Sequence, residues 1–248
     1  RECLPYPVEE AVIQHFQAGA AIPQDDPLHI VVAAPVDVVD QWIRTAGRAG
    51  LEVVGINIEA CAVAECFARQ ARRTEDAKEV SLFIDIGSAS TQVVLTAGQK
   101  VLLVRNLAVG GHVLDTAVAE AMGVNADQAR RLRMNLVDRP DGGEAEGELI
   151  RLVSAHVEDI CKQILGCLMY YESIGGRPIG RVVLLGGEAR SRRLCRAIGE
   201  MLNLPAQIGN PMAGIRSADR AMGEMGKQDT YPAWAVAVGL SCGWTQAA

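Results

Sequence analysis

Apolar and polar positions change their spacing several times along the chain, and each change predicts a different element. Residues 30–34 and 51–58 are short apolar runs bounded by turn residues, which predicts two buried strands. Residues 36–49 and 59–73 carry apolar positions at helical spacing. This order of strand, helix, strand and helix predicts a small α/β unit that ends at the short polar stretch 74–79.

The spacing changes again at Val80. Three short apolar strands are predicted at 80–86, 91–96 and 101–104, and the turns between them are so short that the strands must form an antiparallel meander. Later elements alternate between helix and strand. In chain order, they are helices at 112–123 and 126–136, a solvated loop at 138–148, a helix at 149–171, a strand at 181–187, a helix at 190–202, an edge strand at 205–209 and a last apolar helix from Tyr231.

Three antiparallel strands followed by parallel strands with helical connections form the ribonuclease-H-like plan, and two copies of that plan make the architecture of sugar kinases, Hsp70 and actin. We therefore expect an α/β fold of this actin-like ATPase class.

Composition removes several classes of function. The chain has 248 residues, is 49% hydrophobic and 22% charged, and carries a net charge of −6, so it is globular and has no dominant basic face for nucleic acid. Aromatic residues make up only 4% of the chain, which argues against base-stacking platforms. No apolar run of 18 residues and no signal peptide are present. Because the sequence starts at Arg1, we expect it to be part of a longer protein.

The seven cysteines and four histidines do not indicate a metal site. The cysteine number is odd, no C-x-x-C occurs, and the histidines have no ligand spacing. Buried free thiols in a reducing compartment are the expected state of these cysteines.

The stretch "DIGSAST" at 85–91 carries the first chemical signal. An apolar strand ends in Asp85, and Gly87, Ser88, Ser90 and Thr91 follow. Glycine at 87 permits a positive φ, so that successive N–H groups converge on an anion, and Asp85 would orient a magnesium ion through water. The alternative is an ordinary tight hairpin.

The stretch "GGEAR" at 186–190 carries the second signal. Gly186 and Gly187 end an apolar strand and lack side chains, so a flat base and ribose have room against the backbone. The alternative is a plain strand-to-helix turn. The two turns would end neighbouring strands, and together they favour a nucleotide site.

In their order along the chain, several stretches resemble the PilM family of type IV pilus assembly and, more distantly, the division protein FtsA. The stretches are "ECLPYPVEEAVIQHFQ" (2–17), residues 30–67, "LFIDIGSASTQVVL", "VRNLAVGGHVLDTAVAEAMG", "VVLLGGEAR", "GNPM" and "AVAVGLS". The resemblance covers nearly the whole chain, and the order of the motifs is more specific than any one of them.

The resemblance implies a domain plan. Residues 1–58 would be an incomplete first half with part of an SHS2-type subdomain, 1C; residues 59–79 would be a connecting helix; and residues 80–248 would be the second ribonuclease-H-like half. The family's first nucleotide hairpin, an N-terminal "D-I-G-S", has no counterpart before residue 85, so half of the phosphate clamp would lie outside this sequence.

The resemblance also implies roles for individual residues in binding ATP and Mg²⁺. Phosphate and metal would be bound by the loop that starts at Asp85, and the adenosine side by the turn with Glu188. Glu59 would position the attacking water, or else act only as an acid at a helix N-terminus. The full implied set is Asp85, Gly87, Ser88, Ser90 and Thr91 for phosphate, Asp85 for the metal, Gly110 and Gly111 opening the next helix, and Gly186, Gly187 and Glu188 for adenosine.

One departure weakens the case for ATP. Where the family has "A-E-x-x-K", with Glu and Lys touching ribose and adenine, this sequence has "ARRLR" at 129–133. Arg130 replaces the acid, and Arg133 replaces the lysine and would stack on the base. A solvated basic helix face is the alternative.

The implied function is a cytoplasmic scaffold at the inner membrane that binds the N-terminal tail of a bitopic PilN-like protein and meets the membrane only through partners. ATP would be a structural or switching ligand, and the chain would be at most a weak ATPase. Three alternatives are a sugar or acyl kinase, an FtsA-like division tether, and a type II secretion platform domain without ATPase activity. The last residues, "GLSCGWTQAA", lack the basic amphipathic tail of a tether.

Overall fold

The computed structural model describes residues 4–19, 28–70, 78–135, 144–213, 215 and 231–243. The strands are β1 (Ala11–Gln17), β2 (His29–Pro35), β3 (Val80–Ile86), β4 (Thr91–Ala97), β5 (Lys100–Leu107), β6 (Ile179–Leu185) and β7 (Ala206–Ile208). The helices are α1 (Val36–Arg48), α2 (Glu59–Ala68), α3 (Gly111–Met122), α4 (Ala126–Met134), α5 (Glu144–Ser173), α6 (Arg192–Leu202) and α7 (Ala235–Gly243). No helix in these described ranges is long and apolar enough to cross a membrane.

The larger sheet has the order β5-β4-β3-β6-β7. Strands β3, β4 and β5 form the predicted antiparallel meander, and β6 and β7 extend it with parallel pairing. This is the ribonuclease-H-like order that the sequence predicted. The parallel register places Asp85 of β3 beside Leu185 of β6, so the turns that follow these two strands lie at the same edge of the sheet.

Helices cover both faces of this sheet, because neighbouring residues of a strand point to opposite sides. Leu82 and Ile84 belong to a core that includes α3, α5 and α6, whereas Phe83 belongs to a second core with α2 and α7. Gly239 of α7 lies so close to the carbonyl of Ala62 in α2 that a side chain there would overlap the helix backbone. The two helices therefore pack backbone to backbone.

Strands β1 and β2 pair antiparallel and form a separate two-stranded sheet, which α1 follows directly. This unit contacts the larger one through Phe16 and Ile30, which pack on the second core, and through a hydrogen bond from the Gly19 amide to the Val101 carbonyl (3.0 Å). Strand β1 was missed by the sequence analysis, because "AVIQHFQ" has neither a clean alternation nor a continuous apolar run.

Three predicted elements need correction. Residues 51–58 form no strand, because they have no neighbouring strand among the described residues to pair with. Helix α2 ends at Ala68 rather than at residue 73, and the side chains of Arg69 and Gln70 donate hydrogen bonds to the carbonyls of Pro211 and Asn210. Helix α5 begins at Glu144, inside the predicted loop 138–148, because Glu and Ala favour helix strongly enough to tolerate Gly147. Residues 138–143 of that loop lie outside the described ranges.

The described cysteines are free thiols, as the sequence predicted. Most are buried, and burial raises the pKa of Cys195 to about 12 and that of Cys161 to about 11. Cys242 is exposed, and Cys3 lies outside the described residues.

Candidate functional site

The two glycine turns meet at one edge of the larger sheet. Gly186 has a φ of +87°, which favours glycine. A side chain there would overlap the Ile86 carbonyl and would also lie about 2.5 Å from Asp85 Oδ1. The predicted pairing of the turns is thus present, but the positive φ is at Gly186 rather than at Gly87, which is not among the described residues with positive φ.

Hydrogen bonds from the start of α3 hold the loop 87–90 in place. The amides of Gly111 and His112 donate to the carbonyls of Gly87 (2.9 Å) and Ser88 (2.7 Å). A Cβ at Gly110 would lie 2.6 Å from those same two carbonyl oxygens, so this close approach requires a residue without a side chain. The paired glycines Gly110 and Gly111 therefore fix the loop on the helix.

This attachment decides where the loop amides point. In a planar trans peptide the N–H lies opposite the preceding C=O. Because the Gly87 and Ser88 carbonyls point towards α3, the amides of Ser88 and Ala89 point away from it. Neither amide makes a hydrogen bond within the described part of the chain, and Ser88 to Ser90 are exposed. Two adjacent free amides beside exposed serine hydroxyls form a set of hydrogen-bond donors that suits an anion.

The other loop residues are placed differently. Gly87 closes the turn by donating its amide to the Ser90 carbonyl (2.9 Å). Thr91 is fully buried, and its hydroxyl donates to the Val109 carbonyl (2.7 Å), so this hydroxyl is already bound within the fold. A phosphate-binding role for Thr91 stays a prediction.

Asp85 and Glu59 bring two carboxylates to this edge. Burial, and then the charge of Glu59, raise the pKa of Asp85 to about 6. Glu59 is the first residue of α2, and its Oε2 accepts a hydrogen bond from Gln92 Nε2 (3.2 Å). Glu59 is also the acidic residue in the first turn of α2, and it lies against β4 and beside Asp85, so both roles considered for it stay predictions.

These residues fit a magnesium ion and phosphate. A cation beside Asp85 would favour its charged form, and the free amides would receive phosphate oxygens. The described residues hold no group of three or more His, Cys, Asp or Glu side chains that would bind a metal alone. Mg²⁺ commonly uses one or two carboxylates together with water and substrate phosphates.

The side that the resemblance assigns to adenosine is different, because charged side chains fill it. Arg133 of α4 is 3% exposed and lies between Asp115 of α3 and Glu188 of the 186–190 turn. Its Nη1 donates to Glu188 Oε2 (2.5 Å), and its Nη2 donates to Asp115 Oδ1 (2.6 Å). Burial alone would lower the pKa of Arg133, but the hydrogen bonds and charges of Glu188 and Asp115 outweigh burial and raise it.

Arg130 stands one helical turn earlier on α4, outside this buried group. Its Nη1 lies 3.9 Å from Asp115 Oδ2, and its Nη2 lies 3.7 Å from Glu188 Oε1. Two arginines therefore bridge the same two carboxylates through different oxygens. We call Arg130, Arg133, Asp115 and Glu188 the arginine–carboxylate ring.

The sequence analysis missed Asp115, although a signal was present. Asp115 follows Leu114 and precedes Val118 on the apolar side of α3, and an acid on a buried helix face requires a partner. The solvated-face alternative is wrong for Arg133, which is buried, while Arg130 remains 43% exposed.

Comparison with solved structures shows the same fold in three proteins. A PilM–PilN type IV pilus biogenesis complex aligns with 97% of this chain and 68% of that chain, at 23% identity and a TM-score of 0.78. The ethanolamine utilization protein EutJ from Carboxydothermus hydrogenoformans aligns with 80% of this chain and 58% of its own chain, at 16% identity and a TM-score of 0.57. MreB5 of Spiroplasma citri, bound to ADP, aligns with 82% of this chain and 63% of its own chain, at 15% identity and a TM-score of 0.58.

These similarities establish an α/β actin-like ATPase fold. The chain spans less than two thirds of the EutJ and MreB5 chains and 68% of the PilM chain. A family model described as type IV pilus assembly protein PilM matches residues 1–243, which is nearly the entire sequence. The chain therefore belongs to the PilM family of type IV pilus assembly proteins.

Proposed function

We propose that this chain is a cytoplasmic scaffold of type IV pilus assembly, peripheral to the inner membrane, that binds the N-terminal tail of a bitopic PilN-like protein. The observation that carries the proposal is the family match over residues 1–243, together with a shared fold with a protein solved as a PilM–PilN complex. The same match favours pilus assembly over a kinase or a division tether.

Exposed apolar side chains and open strand edges in the N-terminal unit support this proposal. Val31, Trp42 and Val54 are 63%, 70% and 63% exposed, although they are large and apolar. Strands β1 and β2 pair only with each other among the described residues, so each leaves an edge with free backbone groups. An extended peptide can add to such an edge and place alternate side chains on an apolar surface.

We further propose that Mg²⁺ and ATP act as a structural or switching ligand rather than as fuel. The free amides of Ser88 and Ala89 and the carboxylate of Asp85 support the phosphate and metal part of this proposal. The roles of Gly87, Ser90, Gly186, Gly187 and Glu59 belong to the same proposal. Glu59 would position a water beside Asp85 if any hydrolysis occurs.

The tail proposal is tested by titrating a peptide of the partner's cytoplasmic tail into the protein, with binding read by calorimetry. Val31→Asp places a charge on the exposed apolar surface, and we expect it to weaken binding at least tenfold. Val113→Asp, at a 40% exposed position of α3, is the matched control and should leave affinity unchanged. A switching role predicts that Mg·ATP changes the peptide affinity.

Two results would contradict the proposal. The first is the absence of peptide binding by the unsubstituted protein. The second is equal weakening by Val31→Asp and Val113→Asp, which would mean that the tail does not use the N-terminal unit.

A further inference from the structure

The arginine–carboxylate ring is neutral and closed. Two guanidinium groups face two carboxylates, and the inner arginine uses Asp115 Oδ1 and Glu188 Oε2 while the outer arginine lies near Oδ2 and Oε1. Arg133, Asp115 and Glu188 are each at most 5% exposed. The space between α3, α4 and the 186–190 turn is therefore filled by the chain's own side chains.

In the proposed function, the 186–190 turn lies on the nucleoside side of the site, and the ring lies against this turn. A phosphate on the free amides of Ser88 and Ala89 would share this edge of the sheet with Gly186 and Gly187. The nearest atom to a Cβ at Gly187 is Arg130 Nη2, at 3.9 Å. Glu188 in turn packs so tightly on Gly111 that a side chain at Gly111 would overlap its carboxylate. A nucleoside placed against Gly187 would therefore contact Arg130, and the buried members of the ring fill the space beside Gly111.

We propose that the ring closes the nucleoside side of the site, so that the protein binds a magnesium-bound polyphosphate chain and does not read the base attached to it. This inference rests on the proposed function, in which the 87–90 loop binds phosphate. It adds that specificity for adenosine is absent, and that Arg133 is the residue that excludes the nucleoside.

Arg130 has a separate part in this arrangement. It is the exposed member of the ring, and its guanidinium lies 3.7 Å from Glu188 Oε1, a buried oxygen that makes no hydrogen bond with the described residues. A small movement of Arg130 towards Glu188 would add a hydrogen bond to this oxygen. Its exposed side presents a planar cation that matches phosphate oxygens.

The test compares three ligands with Mg²⁺ by calorimetry: ATP, GTP and inorganic tripolyphosphate. For the unsubstituted protein we expect the three dissociation constants to agree within about threefold, because the base makes no contact. Asp85→Ala should weaken all three alike, which identifies the loop as their common site.

The opened variant is Asp115→Asn/Arg133→Ala. It removes one charge of each sign, leaves Glu188 paired with Arg130, and creates space between α3, α4 and the 186–190 turn. We expect ATP to bind this variant at least tenfold more tightly than tripolyphosphate does. Arg131→Ala, at an exposed position of the same helix, is the control and should behave like the unsubstituted protein.

A milder variant covers the case in which the double variant does not fold, as judged by its circular dichroism and melting transition. Arg133→Lys keeps the charge but cannot bridge two carboxylates with a planar fork. It should shift the preference towards ATP at least threefold. Failure of both folded variants to gain any preference for ATP would overturn the inference.

The remaining outcomes separate this inference from the proposed function. At least tenfold tighter binding of ATP than of tripolyphosphate by the unsubstituted protein overturns the inference and leaves the phosphate site standing. No binding of any ligand by any variant overturns the inference and also removes nucleotide from the proposed function, while tail binding is measured independently. No binding of any ligand by the unsubstituted protein, with ATP binding by the opened variant, also contradicts the inference, because the ring should leave a bare polyphosphate chain free to bind.

Discussion

The described residues of 80–243 bury apolar side chains on both faces of their sheet, whereas those of 4–58 leave nearly all of theirs partly or fully exposed. In the larger sheet, Ile84 and Leu184 are completely buried. In the described parts of the N-terminal unit, Ala18 is the one buried hydrophobic residue, while Trp42 is 70% and Leu51 is 65% exposed. Both regions are rich in apolar residues, so the difference lies in what covers them.

The comparison shows that a segment can form regular secondary structure without forming a packed core of its own. The N-terminal unit has a full antiparallel ladder and a helix of 13 residues with no buried side chain. Backbone hydrogen bonds alone add little net stability. Its order therefore depends on the few contacts with Val101 and the second core, and on any further surface that covers its apolar residues.

The largest expected effect concerns the arginine–carboxylate ring in the packed region. Arg133→Ala alone leaves two buried carboxylates with only the distant Arg130, and breaking a buried pair in this way costs about 3–5 kcal/mol of unfolding free energy. Urea unfolding followed by circular dichroism measures the loss. Arg131→Ala should change stability by less than about 0.5 kcal/mol. Equal effects of the two variants would mean that the ring is not closed in solution.

The next prediction makes the same substitution, isoleucine to alanine, in each of the two regions. Ile84→Ala removes a fully buried side chain from β3 and should cost about 2–5 kcal/mol. Ile56→Ala removes a side chain that is 61% exposed and should cost less than about 0.5 kcal/mol. Urea unfolding measures both. A comparable loss at Ile56 would show that this surface is covered in solution and would remove the contrast.

The smallest effect concerns Asp85, at the edge of the larger sheet, where the ionised carboxylate lowers the stability of the folded protein. Because the pKa of Asp85 is raised to about 6 from 3.8, the folded state binds this proton more tightly than the unfolded chain does. The ionised carboxylate therefore costs stability above pH 6, and the cost disappears as pH falls towards 4.

Asp85→Asn should accordingly stabilise the protein by about 1–3 kcal/mol at pH 7.5 and by almost nothing near pH 4. Thermal unfolding in EDTA measures the difference, and Mg²⁺ should reduce it. Glu59→Gln should give a smaller gain of the same sign, because the charge of Glu59 is the lesser cause of the raised pKa. A gain that does not depend on pH would contradict this account.

Much of the fold was predictable because local patterns agree with the topology. The short turns between 80 and 104 allow only a meander, and the apolar stripe of α5 requires burial on one side. The failures occur where tertiary context decides. Residues 51–58 have the composition of a strand, but a strand also needs a neighbour, and no local pattern reports whether one is present.

The candidate site divides in the same way. The convergence of the two glycine turns follows from strand order, so the sequence predicted it correctly. The ring could not be predicted, because Arg133 joins partners 18 positions before it and 55 positions after it, and helix spacing carries no information about such distances. The same local sequence could form either an exposed basic helix face or a buried arginine that pairs with two carboxylates.

The backbone contact between α2 and α7 sets an order of events during synthesis. Gly239 packs on Ala62, so of the two helices that cover Phe83 and Val183, one comes before the five strands of the larger sheet and the other after them. On the ribosome, the meander and β6 emerge before α7 does. The part of this sheet face that α7 covers therefore stays open until α7 leaves the exit tunnel, and during this interval the nascent chain is exposed to aggregation and to chaperones.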